Sequence, residues 1–553
     1  LVASGGGGGG AVTGSAPTLT LSTLKRLDVS WPTQHGASTI RLLVDPDGDS
    51  QQPEGVLADL PGDATGHALE VFLPTAFFAR YRLEVCRPAG CVVSPVASLV
   101  GNLAAGVGYV KSPTTAEDDH FGARVALSAD GQTLAVSTPA KDNGTGEVAV
   151  YRREALGRWG LEQVLRAPLG GPDELFGGAL ALSADGNTLA ASAIGESSTP
   201  SASGQPNEDG ALPNSGAVYV FARVGTAWSL DGAFKPVQAA QFDFFGEQVE
   251  LSADGRTLVA TSAWQPLDFA REVHVYARLG SNWVEQTVIA PAVPDPGDGF
   301  GSSISLSADG RWLAIGDPWD DSAGSGSYPA ALTNEGSADS GAVHVYTSLS
   351  GAWVAQAFLK PGVPQDGARF GQSVDLSSDG RVLVAGATED QRDGEGNLDP
   401  AFAAAGAAHV FERTDLAWIQ TDYLKSRLPA AEDRFGTAVA VSGDGLTLAI
   451  GAPDDDGEDT GVGGLVRVDG ATNSGAVQVY RRQFGAWGAG IRVKPSHASA
   501  PRRLRFGDAI ALSGDGAVMA VGAPRQSDAT SGIGTNPTAY DGGAFSSGAA
   551  YLY

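Results

Sequence analysis

Cysteine is nearly absent from this chain. Cys86 and Cys91 are the only two in 553 residues, so there is no Cys-x-x-Cys pair and room for one local disulfide at most. Long apolar runs are missing as well: no stretch approaches the roughly 20 apolar residues that a membrane-spanning helix needs. Basic residues are few, 36 Lys and Arg against 63 Asp and Glu, leaving a formal charge of −27 and a pI near 4.5. Nucleic acid and anionic membrane surfaces are therefore poor partners. The common catalytic signatures are missing too, with no His-Glu-x-x-His, no Gly-x-Ser-x-Gly and no phosphate-binding glycine loop.

What the chain has in excess is glycine, 76 residues, and much of it recurs in register. FGARVALSADGQTLAVSTP at Phe121 returns in altered form at Phe176, Phe245, Phe300, Phe370, Phe435 and Phe506. In all seven copies Phe-Gly stands nine residues before the Asp of an Asp-Gly pair. Fixed spacing inside a period of roughly 55 to 70 residues marks a repeat architecture. Between copies lies a run rich in β-formers, such as EVAVYRR, GAVYVFAR or GAVQVYRR, and after six of these runs comes a Trp: Trp159, Trp228, Trp283, Trp353, Trp418 and Trp487. Each unit reads as four short strands. The first two flank Asp-Gly, a pair suited to a tight hairpin. They are apolar or small at nearly every position, as in a sheet buried on both faces. Four-stranded units repeated seven times predict an all-β protein, a seven-bladed β-propeller.

The Phe-Gly openings, with Gly451-Ala452-Pro453 and Gly522-Ala523-Pro524, resemble the FG-GAP repeats of the integrin alpha-subunit head and of bacterial integrin-like surface proteins. The resemblance covers about four fifths of the chain. It implies a non-enzymatic cell-surface or secreted adhesion protein, extracellular or on the outer-membrane surface of a bacterium, whose partner is a protein or a glycan. A polysaccharide-active lyase or hydrolase on the same scaffold is the alternative, and a subunit of a surface layer or filament is another. The resemblance also raises calcium, which integrin blades hold in an extended first hairpin with acids at alternate positions. Calcium needs six to eight oxygens. Here Ala126 and Ser128 stand where acids would be needed before the single Asp130, and Leu134 follows it, so the family's site is absent from all seven repeats and the Asp reads as a turn former.

Ahead of the repeats the chain divides in two. Residues 1–17 form a glycine-rich tether whose Leu-Val-Ala-Ser start is similar to a lipobox, with Ser4 where the lipidated Cys would stand. Residues 18–100 alternate at short intervals, as in a small β-sandwich. Trp31 and Tyr81, the latter at a tyrosine-corner position, resemble a fibronectin type III module, with Cys86 and Cys91 stapling its last hairpin. The propeller spans 101–553. It ends at Tyr553 without a seventh outer strand, while 103–113 carries a spare, Tyr-Val-Lys-Ser-Pro, similar to the outer-strand endings FLKP and RVKP. That segment is expected to close the last blade.

Topology sorts the loops onto two faces. Tight turns, between first and second and between third and fourth strands, share one. The other carries long loops between second and third strands, and such loops usually mark a binding side. They are acidic, and the candidate binding residues are Asp317, Asp320, Asp321, Glu389, Asp390 and Asp393, joined on the same face by Glu432 and Asp433 from a loop between fourth and first strands. Asp454, Asp456 and Asp459 are the candidate calcium ligands, in a loop of five acids and one glycine, and the stretch from Asp317 to Asp321 is the alternative calcium site. So many carboxylates on one face are expected to repel one another.

Overall fold

The computed structural model describes residues 15–553 apart from 23, 47, 49–53, 102, 155–157, 169, 202–203, 208, 263–270, 281, 296, 350, 394–395, 416, 465–467, 497–502 and 535–542. The lipobox-like start and the glycine tether lie outside the described residues. Among the described residues no helix is long and apolar enough to cross a membrane.

Strands Thr18–Ser22, Arg26–Ser30 and Gly66–Glu70 form one small sheet. Gly55–Pro61, Thr39–Asp45, Arg80–Arg87 and Gly90–Val93 form a second in that order, with Ala97–Ser98 pairing beside Arg80. Alternation along each strand turns Leu19, Leu21, Leu27, Val29, Ile40, Leu42, Tyr81 and Leu83 into the space between the sheets. Trp31 is buried there and its indole N–H donates to the Ala64 carbonyl, 2.8 Å away. Cys86 and Cys91 are joined by a disulfide across the last hairpin.

Among the described residues seven further antiparallel sheets follow. The first shows the common plan: Val125–Leu127, Thr133–Thr138, Glu147–Arg153 and Trp159–Leu165, each paired with the next. The first strands of consecutive sheets pack on one another, and Ile510–Leu512 of the seventh packs back on Val125–Leu127 of the first. The sheets therefore close into a ring around the first strands, a β-propeller. The outer strand of the seventh sheet is Gly108–Val110, which pairs with Ala549–Leu552. Loop segments cover further outer edges. Gly326–Tyr328 pairs with the outer strand of the fourth sheet, and Ile533–Gly534 pairs with Gly108–Val110. Covering an edge removes a row of open backbone groups that would otherwise template another chain.

The repeated motifs have separate tasks in this ring. Each Phe of Phe-Gly is buried, and at five junctions it bridges in parallel to the glycine that opens the preceding sheet's third strand, as Phe176 does to Gly146 and Phe506 to Gly475. Those glycines have φ near +80°, and a Cβ on Gly475 would stand 2.1 Å from the Phe506 carbonyl oxygen. Only glycine fits so close an approach. The Ser-Ala-Asp-Gly hairpins join the sheets at the other end. The Ser128 hydroxyl donates to Asp130 at 2.5 Å and accepts from the Thr133 N–H at 2.9 Å, fixing the turn. Each turn then hydrogen-bonds the next: Ala129 to Ala184, Ala184 to Ala253, Ala253 to Ala308, Ala308 to Ser378, Ser378 to Gly443, Asp444 to Gly514, and Gly514 back to Ala129. The Trp residues work at the rim. Trp228 and Trp283 donate from their indole N–H groups to Glu162 and Asp231 on the preceding sheet, beside Arg223 and Arg278.

Candidate functional site

The closed circle of turn-to-turn hydrogen bonds leaves the tight-turn face with little to offer a ligand. The rim of that face also receives the N-terminal unit. Lys25, buried, donates to the carbonyls of Tyr553 and Ala517 at 3.1 and 3.2 Å and pairs with Glu70, which also meets Arg153. Burial lowers the Lys25 pKa to about 8 despite the Glu70 charge.

On the opposite face the long loops spring from a recurring ion pair. Three residues beyond the end of the second strand stands an acid: Glu196, Asp320, Asp390 or Asp455. A lysine at the end of the outer strand reaches it in each of these sheets. Lys235 meets Glu196, Lys360 meets Asp320 at 2.7 Å, Lys425 meets Asp390 at 3.1 Å and Lys494 meets Asp455 at 2.8 Å. In three of the four a serine before the third strand, Ser215, Ser340 or Ser474, accepts from the same ammonium. Burial lowers the pKa of all four lysines, and their acids are what oppose it. In the seventh sheet Lys111 donates to Ser547 at 2.7 Å, and Gln526 stands in the acid's place. In the first sheet the polarity reverses: Lys141 holds the acid's place and pairs with Asp119 at 2.8 Å.

This latch corrects the expected open field of acids. Asp317, Asp320, Asp390 and Asp433 are buried, so half of the candidate binding acids cannot meet a partner at the surface. Burial works against the Asp390 charge, but Arg392 hydrogen bonds and the Lys425 charge outweigh it and hold the carboxyl below its usual range. Asp433 accepts the Ala430 N–H at 2.9 Å. Asp321, Glu389, Asp393 and Glu432 remain at or near the surface. At Glu389 the neighbours are cations. Glu389 lies between Arg369 and Arg434, and Asp454 between Arg434 and Arg505. An alternating belt of charge thus links the fifth, sixth and seventh sheets.

The expected calcium trio is likewise divided among other tasks. Asp454 takes the two arginines and the Asn473 amide, Asp456 accepts the Asn473 N–H, and Asp459 pairs with Arg492. Arg492 and Lys494 both close on Asp455, which is fully buried.

Two acidic groups stand out in the structure, the first at the Asp317 to Asp321 stretch that the sequence offered as an alternative calcium site, the second not read from the sequence. In the first, Asp298 joins Asp317 and Asp320, each offering a carboxylate oxygen within 4.8 Å of the others. Burial raises the Asp298 pKa to about 8, helped by the Asp317 and Asp320 charges. In the second, Asp375 links three inner strands, accepting from the Ser305 hydroxyl at 3.0 Å and the Val441 N–H at 2.7 Å. Burial raises its pKa to about 6, and raises that of Glu250 further with Asp375 as neighbour. Asp298 had a legible signal, because Asp119, Glu174, Asp243 and Asp433 also stand two residues before Phe-Gly.

No family model and no curated protein matches the chain. Solved structures do. The WD40 repeats of RRP9 align at 9% identity over 81% of this chain and 96% of that one, with a TM-score of 0.44. The periplasmic gluconolactonase PpgL of Pseudomonas aeruginosa aligns at 15% identity over 80% and 98%, with a TM-score of 0.41. A putative 6-phosphogluconolactonase of Bacteroides fragilis aligns at 12% identity over 83% and 95%, with a TM-score of 0.40.

Proposed function

We propose that this chain is an extracellular, non-enzymatic binding protein, an FG-GAP-type propeller of seven repeats that engages a protein or glycan through its long-loop face. One observation carries the reading: the two faces are built for different tasks. The turn face is bonded to itself around the whole ring. The loop face is pinned at the base of four of its long loops by a buried Lys–acid pair, which supports the loop tips on a rigid base. The strand orders of the N-terminal sheets and the buried Trp31 and Tyr81 support reading that unit as a fibronectin type III-like spacer.

A glycan array and a pull-down from bacterial surface extract, both with the full chain, test this. Neutralising Asp321, Glu389, Asp393 and Glu432 together should weaken capture at least tenfold and leave the melting temperature unchanged. Undiminished capture by that variant would overturn the assignment of the face. For anchoring, the Ser4→Cys variant behind a signal peptide is expected in the membrane fraction, and a soluble, unlipidated product refutes it.

A groove favours the second, enzymatic reading. A cleft of about 750 Å³ between the second and third sheets is lined by Asp231, Lys235, Tyr276, Trp283 and Glu285. Against it, Asp231 already serves Arg278 and Trp283, and Glu285 serves His274 at 2.7 Å. Release of reducing ends or unsaturated products from an acidic polysaccharide would decide for catalysis.

A further inference from the structure

The latch offers an internal reference for charge. In the second, fifth and sixth sheets the residue that ends the second strand is Ala193, Ala387 or Ala452, and the acid three residues later is balanced by a lysine. The fourth sheet keeps the pair, Asp320 with Lys360, but ends its second strand with Asp317. It also brings Asp298 from the preceding loop to the same point. Two carboxylates are therefore added to a pair that is already neutral.

Asp317 is the unusual member. Its side chain is 2% exposed. One oxygen, Oδ2, lies 3.2 Å from His344 Nε2, while the other, Oδ1, is buried with no hydrogen-bond partner. A buried carboxylate oxygen without a donor costs free energy that folded proteins rarely leave uncompensated. Of the nearby acids only Asp298, whose proton burial and the Asp317 and Asp320 charges hold more firmly than usual, can donate to it, and a bound cation takes the place of that proton. Serine at this position in the third sheet, Ser262, carries a hydroxyl and no charge.

We propose that Asp298, Asp317 and Asp320 form a binding site for one hard divalent cation of the calcium class at the base of the fourth sheet's long loop. Three carboxylates from two loops give such an ion its charged ligands, and water completes an oxygen shell. Asp317 Oδ1 then gains the partner that the protein does not provide. Lys360 remains on Asp320, so with all three carboxylates ionised the excess of negative charge matches one divalent ion, and binding displaces the Asp298 proton. The ion would tie the loop that precedes the fourth sheet to the loop that follows its second strand. The inference does not depend on what the loop face recognises.

The test is calcium titration of the full chain after chelator dialysis, followed by heat and by melting temperature, with magnesium and potassium alongside. One calcium per chain is expected, with a dissociation constant on the order of 10⁻⁴ to 10⁻³ M, the range of extracellular modules. Asp317→Ala installs the residue that four sister sheets already carry, so it should fold, and it should weaken binding at least tenfold and abolish the calcium-dependent rise in melting. Asp298→Asn should do the same. The triple change of Asp454, Asp456 and Asp459 to Asn should leave the calcium affinity unaltered. No heat and no melting shift in the parent chain would overturn the proposal, as would an Asp317→Ala variant that binds like the parent. A calcium response lost only in the triple variant would place the ion elsewhere and overturn it equally.

Discussion

Replacing Asp455 by Asn should damage the protein far more than removing either cation that it holds. Asp455 sits at the centre of the sixth sheet's latch, accepting from both terminal nitrogens of Arg492 at 2.7 Å, from Lys494 at 2.8 Å and from the Gly457 N–H at 2.9 Å. All three charged side chains are buried to 1% exposure or less. Burial opposes its charge, but the Lys494 charge and the Arg492 hydrogen bonds outweigh that and hold the carboxyl well below the usual carboxylate range. In Asp455→Asn two buried cations lose their counter-charge, and an amide NH₂ is forced towards donors. Breaking a buried pair in this way costs about 3 to 5 kcal/mol. In Lys494→Met the carboxylate keeps its two-pronged contact with Arg492, and what is lost is the ammonium's hydrogen bonds to Asp455 and Ser474, about 1.5 to 3 kcal/mol in all.

The assay is thermal unfolding of the two variants and of the double variant. For a cooperative unit of roughly 450 residues, at about 2.1 cal/mol/K per residue, 4 kcal/mol lowers the melting temperature by about 4 °C. Asp455→Asn should fall by about that much and Lys494→Met by about half as much. The double variant should lie above the sum of the two, because removing the lysine relieves part of the exposed charge imbalance. The same pair predicts an acid limb. A carboxyl whose folded pKa is depressed stabilises the fold above its unfolded pKa, near 4, and loses that contribution as pH falls further. An Asp455→Asn variant no weaker than Lys494→Met would refute the reasoning, and would return this acid to the pool available for a partner.

Three other outcomes follow from separate parts of the molecule. Asp375 has a folded pKa of about 6, raised by burial, so the folded state holds a proton that the unfolded chain has released. Stability should therefore fall as pH rises from about 4 to about 6, by about 1 to 3 kcal/mol after solvent screening, and Asp375→Asn should flatten that slope in a pH series of melting curves. Gly475→Ala places a Cβ against the Phe506 carbonyl, whereas Gly485→Ala at nearly the same φ meets nothing within 4 Å. The first should cost more than about 3 kcal/mol and the second about 1 kcal/mol by thermal unfolding. Deleting residues 1–113 removes the strand that pairs with Ala549–Leu552 and should give a lower-melting, poorly soluble product by light scattering, and an unchanged melting curve would argue against that strand's role.

The fold was legible because each repeat motif carries a backbone requirement. Asp-Gly specifies a tight hairpin, Phe-Gly a bridge to a glycine across the blade junction, and uninterrupted small and apolar strands a sheet buried on both sides. Such signals are local, and seven copies in register reinforce one another. The partition of the acids was not local. Whether a loop carboxylate serves a partner or the core depends on a cation that arrives from a distant strand, 40 residues away for Asp320 and Lys360 and 39 for Asp455 and Lys494. The lysines were visible in FLKP and RVKP, but read singly they marked only the ends of strands. Placed beside the acid three residues beyond each second strand, they become half of an ion pair, and a cluster that exceeds the pair becomes conspicuous. Asp317 is that excess in the fourth sheet. Where most sister repeats carry a small neutral side chain, it carries a charge that its own latch does not neutralise, and a departure of that kind from the repeat's internal rule is the better guide to function than the density of acid along a loop.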